Sequence, residues 1–232
     1  MQLYLPIAEL PLNLFLLLGM GGAIGFISGM FGVGGGFLLT PLLIFVGVPA
    51  PVAVATSSVH IAASSVTGAL NYWRRKALDV KLGVVLIGGG LVGTVLGVFF
   101  FDQMRKLGHL DLVITLSYVT LLMSVGCLMF VESIGAMLDA RRGRKVTLRS
   151  PGEHRWYERL PLTMRFHRSK LSTSVIPLVL LGVVIGFVGS VLGIGGGFLV
   201  VPALIYLFRV PTSVVVGTSL FQILFVTMAT TM

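Results

Sequence analysis

Apolar runs long enough to cross a bilayer alternate with short polar or glycine-rich breaks along almost the whole chain. Pro11 to Met30 reads as a first span, followed by the glycine cluster Gly32, Gly34, Gly35 and Gly36. A short apolar piece, Phe37 to Val48, is closed by Pro49-Ala50-Pro51. Further spans are expected at Val52 to Trp73, Leu82 to Phe101 and Leu112 to Val131. A polar stretch then runs from about Asp139 to Ser172. The apolar pattern resumes at Val175 to Leu192, breaks at Gly193 to Gly197, continues from Phe198 to Phe208 and restarts at Val214. Spans of about 20 apolar residues are the signature of membrane helices. The expected fold is all-α, a polytopic transmembrane helical bundle.

Composition agrees. The 232 residues are 56% hydrophobic and 11% charged, against roughly 25% charged in a soluble domain. That excludes a soluble enzyme, a disordered chain and a nucleic-acid-binding domain. The net charge of +9 changes meaning once located. Of 17 Lys and Arg, ten lie between Arg141 and Lys170, four more are Arg74, Arg75, Lys76 and Lys81, and none precedes Arg74. Basic clusters between apolar runs mark cytoplasmic loops. Two spans separate these two basic loops, so parity agrees. The stretch from Asp102 to Asp111 then lies outside, as does the Pro49-Ala50-Pro51 turn. The linker 139–173 is expected to be cytoplasmic and attracted to anionic lipid headgroups. The single cysteine, Cys127, reads as a small core residue. No cofactor, metal or catalytic group is expected, because no carboxylate lies deep in a span and paired acids are missing.

The chain also repeats itself. Gly25-Phe26-Ile27-Ser28-Gly29-Met30-Phe31-Gly32-Val33-Gly34-Gly35-Gly36-Phe37-Leu38 recurs as Gly186-Phe187-Val188-Gly189-Ser190-Val191-Leu192-Gly193-Ile194-Gly195-Gly196-Gly197-Phe198-Leu199. Pro41 then meets Pro202, and after one inserted residue Pro49 meets Pro211 and Thr56-Ser57 meets Thr218-Ser219. This divides the chain into a first membrane repeat (1–138), the basic linker (139–173) and a second membrane repeat (174–232). The copies are expected to be inverted, as they are if every intervening segment crosses; if the short pieces are re-entrant, they are parallel. The stretch from Leu70 to Val131 has no counterpart before Met232, so the second repeat is expected to be truncated and the chain a fragment.

Paired short, glycine-broken segments point to a transporter's binding site. Glycines let a ligand approach backbone N–H groups closely, and a helix N-terminus favours an anion. The candidate ligand set is Gly34, Gly35, Gly36, Thr56, Ser57 and His60, with Gly195, Gly196, Gly197, Thr218, Ser219 and Gln222 in the second copy. The competing reading is helix packing, which fits Gly21, Gly25 and Gly29, and Gly89, Gly93 and Gly97, all spaced by four. At 100° per residue, Ser57, His60, Ser64, Thr67, Gly68 and Asn71 form one polar stripe, expected to face the bundle or a wet path. His60 can carry a proton or simply make an interhelical hydrogen bond. Trp73, Trp156 and Tyr157 read as interfacial anchors.

The two glycine-phenylalanine blocks, each followed by Pro and then Thr-Ser, resemble the sulfite exporter TauE/SafE family. The resemblance spans residues 12–131 and 174–232. It implies a multi-pass bacterial inner-membrane protein with two similar halves. It also implies transport, not enzymatic activity, with sulfite, a sulfonate or a related organosulfur or carboxylate anion as cargo. The matching positions are Gly32, Gly34, Gly35, Gly36, Pro41, Thr56 and Ser57, then Gly193, Gly195, Gly196, Gly197, Pro202, Thr218 and Ser219. The expected partners are therefore a small anionic substrate and the lipid bilayer. The alternative is a non-transporting sensor or assembly factor that acts through the basic linker.

Overall fold

The computed structural model describes residues 2–5, 10–31, 35–141, 163–166, 171–208 and 210–231. Among the described residues, eight helices make the body: α1 (Leu14–Phe31), α2 (Gly36–Phe45), α3 (Ala50–Arg74), α4 (Val80–Lys106), α5 (Leu110–Arg141), α6 (Val175–Leu192), α7 (Gly197–Pro202) and α8 (Thr212–Thr231). Within α3, α4, α5, α6 and α8 lie five segments long and apolar enough to cross a membrane. Two short antiparallel hairpins were not foreseen. β1 (Gln2–Leu5) pairs with β2 (Leu10–Asn13) just before α1, and β3 (Thr163–Phe166) pairs with β4 (Leu171–Ser174) just before α6. Most of the linker, with Trp156 and Tyr157, lies outside the described residues, as do Gly32 and Gly34.

Local chemistry sets the helix ends. Pro51 in the first turn of α3 fits because a first-turn N–H has no intrahelical acceptor. Lys76, at φ 55°, turns the chain after α3. Asp79 then caps α4, its Oδ1 accepting from the Leu82 N–H at 3.3 Å. Ser174 caps α6, its Oγ accepting from the Ile176 N–H at 3.3 Å. A left-handed Gly193 ends α6, the usual chemistry of a helix C-terminus. α5 runs on to Arg141, ten residues beyond the expected stop at Val131. α7 gives way after Pro202 to a π-helical turn, Ala203–Leu207.

α4 and α6 form the tightest pair. A methyl placed on Gly89, Gly93 or Gly97 would collide with the backbone of α6, and one on Gly182 would lie 2.7 Å from the Leu86 carbonyl oxygen. Small residues at four-residue spacing let two membrane helices approach backbone to backbone, so the packing expectation holds for this series. For α1 it does not: methyls on Gly21 and Gly25 would meet nothing within 4 Å among the described residues. Cys127 is also a correction. It is exposed on α5, because that helix meets the body along one side only and leaves the rest outward.

α3 packs along α8, and α4 is held between α6 and α8. Gly68 lies against Leu220 and Tyr72 against Gly217, so contacts advance along α3 as they retreat along α8. One buried cluster joins Leu82, Leu86, Leu178, Ile185, Leu204 and Phe208 across α4, α6 and the α7 region.

Candidate substrate-binding site

The two glycine breaks meet inside the body. Phe37 and Phe198, matched positions that follow the two glycine runs, stack with ring centroids 4.5 Å apart and planes 13° off parallel. Gly35 and Gly196 occupy matched left-handed conformations, φ 71° and 78°, as the residues preceding α2 and α7. Each lies against the matched isoleucine of the preceding helix: Gly35 against Ile24, Gly196 against Ile185. Gly195, at φ 65°, is also left-handed. A side chain is strained in that region, so the glycines are required by the turn as well as by close approach.

One face of α3 covers both breaks. Val54 touches Gly193, a methyl on which would lie 2.6 Å from the Val54 carbonyl oxygen. Two turns on, Ile61 touches both Gly36 and Gly195. Ser57 sits between them on the same buried face, fully buried, with no hydrogen-bond partner for its Oγ among the described residues. Ser65, two turns beyond Ser57, is in the same condition. On α8, Gln222 is 1% exposed and neither Oε1 nor Nε2 is partnered. An unsatisfied buried polar group costs about 1–3 kcal/mol, and each one in a folded protein asks for an explanation such as a ligand or a water.

The other predicted residues divide. Gly36 and Gly197 are buried at the breaks. Thr218 is buried, and its Oγ1 accepts from the Asp79 N–H at 3.2 Å. Ser219 is buried and donates to the Val216 carbonyl at 3.0 Å. These two hydroxyls are engaged in holding α8 and the α3–α4 turn. Thr56 and His60 are exposed, as are Ser64, Thr67 and Asn71. The polar stripe is therefore split: Ser57 is buried and Gly68 lies against Leu220, as expected, whereas His60, Ser64, Thr67 and Asn71 face away from the described body, because Val54, Ile61 and Ser65 form the rest of the contact face. Gly34 lies outside the described residues.

Two clefts flank this region, one near each Thr-Ser pair. One, of about 570 Å³, is lined by Thr56, Ser58, Ser190, Thr230 and Arg105 among others. The other, of about 550 Å³, is lined by Trp73, Arg74, Lys76, Lys81 and by Asp79, the residue bonded to Thr218. Ser65 and Arg105 escaped the sequence reading. Ser65 is matched by Thr227 in the repeat, a signal that was legible; Arg105 is brought to Thr56 only by the fold. Tyr118 of α5 also acts here, donating to the last carbonyl of α6, Leu192, at 2.7 Å.

The sequence pattern of the family described as Sulfite exporter TauE/SafE matches residues 17–232. A Bacillus subtilis protein named "Probable membrane transporter protein YjnA" is 31% identical over 209 residues, covering 87% of this chain and 71% of that protein. A "Probable membrane transporter protein" of Xylella fastidiosa is 31% identical over 220 residues, covering 91% of this chain and 70% of that protein. An Arabidopsis thaliana "Sulfite exporter TauE/SafE family protein 3" is 32% identical over 73 residues, 32% of this chain and 15% of that protein. No solved structure matches the chain.

Proposed function

The chain belongs to the sulfite exporter TauE/SafE family of membrane proteins, and on that premise we propose that it is part of a secondary transporter for a small anion. The cargo class is sulfite, a sulfonate or a related organosulfur or carboxylate anion. The setting is the bacterial inner membrane, with the basic linker in the cytoplasm beside anionic lipid headgroups.

The observation that carries this reading is Ser57. Its hydroxyl is completely buried, has no hydrogen-bond partner among the described residues, and lies on the α3 face that covers both glycine breaks. A hydroxyl donates to an anion's oxygens, and the glycines hold the backbone where its N–H groups can be approached. Ser65 and Gln222 supply further unpartnered polar atoms on the same pair of helices. The body carries little charge of its own: without the linker's ten bases and three acids, seven bases and five acids remain. Its attraction for an anion rests on such dipoles.

The opposed run of contacts along α3 and α8 supports inverted repeats. Inverted repeats around broken helices favour alternating access, with the two clefts as entry from opposite sides.

The test is anion binding and flux. Sulfite, a small sulfonate and a small carboxylate are offered to the detergent-solubilised protein and to proteoliposomes. We expect at least one to raise the melting temperature and to be carried. Ser57→Ala should abolish both effects while leaving the unliganded melting temperature level or higher, since it removes an unsatisfied buried group. Binding and flux unchanged in Ser57→Ala combined with Gly35→Leu would refute this site. Loss of activity on deleting 143–168, with no flux in any variant, would favour the sensor reading.

A further inference from the structure

The turn that joins α3 to α4 forms a basic cleft of about 550 Å³, lined by Trp73, Arg74, Lys76 and Lys81 together with Asp79. Three bases and one acid line it, and the acid is spent on the fold. Asp79 is 4% exposed, and its Oδ1 accepts from the Leu82 N–H at the start of α4. Arg74 and Lys81 are exposed. The cleft is thus a seat of net positive charge where two membrane-spanning helices end.

An apolar strip begins at this cleft. α8 packs against both α3 and α4, and its Phe221 touches both. The Phe221 ring lies 6.4 Å from that of Trp73, and a methyl on Gly83 of α4 would lie 2.8 Å from its Cδ1. Phe225, one turn further along α8, meets Phe221 edge to face at 5.1 Å and is exposed. Met228, a turn beyond, is exposed as well. Thr218 ties the near end of α8 to Asp79, so the strip from Phe221 to Met228 leads away from the bases and into the membrane.

We propose that this cleft seats the phosphate of one anionic phospholipid, with an acyl chain laid along Phe221, Phe225 and Met228. Basic pockets between membrane helices hold anionic headgroups, and a tryptophan such as Trp73 sits at the headgroup level. Arg74 and Lys81 hold the phosphate. A zwitterionic lipid brings its own ammonium group to the same bases and is the poorer guest. A soluble anion can meet the bases but leaves the aromatic strip uncovered. The seat is separate from Ser57 and the glycine breaks, and it holds lipid whether or not the chain transports. A cargo anion entering by this cleft competes with the lipid phosphate.

The test uses Trp73 as the reporter. The chain has two tryptophans, and Trp156→Phe leaves Trp73 alone. The full chain is reconstituted in phosphatidylcholine, and phosphatidylglycerol or phosphatidylcholine brominated along the acyl chains is titrated in, since bromine quenches tryptophan on contact. One base beside an anionic lipid is worth about fivefold. Trp73 should therefore be half quenched at a fraction of the phosphatidylglycerol at least about fivefold below that of the phosphatidylcholine. Arg74→Gln with Lys81→Gln, both at exposed positions, should bring the two lipids within about twofold. So should moving the reporter to the far end of α4 with Leu107→Trp, Trp73→Phe and Trp156→Phe. Millimolar inorganic phosphate, against sodium chloride of equal ionic strength, should leave the quenching unchanged. Equal quenching by both lipids at Trp73, the same preference at the far end, a preference that survives the double substitution, or relief by inorganic phosphate as complete as by unbrominated phosphatidylglycerol would each overturn the proposal.

Discussion

Gly186→Ala and Gly25→Ala make the same change at matched positions and should have opposite effects. At Gly186 the added methyl would lie 2.8 Å from the Gly90 carbonyl carbon and 2.9 Å from its Cα. Carbon atoms rest at about 3.5–4.0 Å, and backbone on both sides leaves nothing flexible to yield. The Gly90 carbonyl oxygen is closer still, so the two helices must separate by roughly 1 Å. A gap of that size forfeits about half of each contact of ~0.1–0.2 kcal/mol, so ~30 atom pairs along the interface lose about 1.5–3 kcal/mol. Replacing a helical glycine by alanine returns about 1 kcal/mol. The net expectation is a destabilisation of about 0.5–2 kcal/mol for Gly186→Ala. Gly25→Ala meets nothing and should stabilise the 232-residue chain by about 0.5–1 kcal/mol. At roughly 2–4 °C per kcal/mol for a chain of this size, the two variants should differ by about 2–12 °C in melting temperature. Thermal unfolding in one detergent, followed by circular dichroism, measures this. Two variants shifted in the same direction by similar amounts would refute the reasoning, and with it the idea that the α1 glycines lack a neighbour.

Other outcomes follow from single contacts. Gly195→Ala combines a left-handed backbone with methyl contacts of 2.8 Å to Thr227 and 2.9 Å to Ile223, and should cost about 2–4 kcal/mol by the same melting assay. Tyr118→Phe leaves the Leu192 carbonyl without the phenol that now donates to it, so it should destabilise by about 1–3 kcal/mol with the secondary structure intact. Arg105→Gln removes the guanidinium lining the cleft beside Thr56. It should weaken anion binding more at low salt than at high salt, since an exposed charge is screened within about 10 Å at 0.1 M. A salt-independent loss would contradict that role.

Much of this protein is written along the chain. Apolar runs place α3, α4 and α6 to within a few residues, because a bilayer demands long apolar helices whatever surrounds them. The glycine breaks are legible too, since glycine takes the left-handed turns at Gly35, Gly195 and Gly196 without the strain a side chain adds. The duplication is visible directly, and with it the pairing of Phe37 with Phe198 as equivalent residues. The hairpins are not visible, because four-residue strands leave too short a pattern.

Which polar residues are buried was decided only by the fold. On α3, Ser57 and His60 share one 100° stripe, yet Ser57 is sealed and His60 is exposed. The boundary lies between them because Val54 and Ile61 carry the bulk that fits against Gly193, Gly36 and Gly195. On α8, Gln222 is buried where its mate His60 is not, because α4 covers only the second repeat. Residue type and spacing could nominate Thr218 and Ser219 as ligands. Only the tertiary structure reveals that the Thr218 hydroxyl already serves Asp79, while Ser219 is engaged within its own helix by Val216. Periodicity records which residues share a face. Which face finds a neighbour depends on the other helices, and that is a property of the assembled bundle.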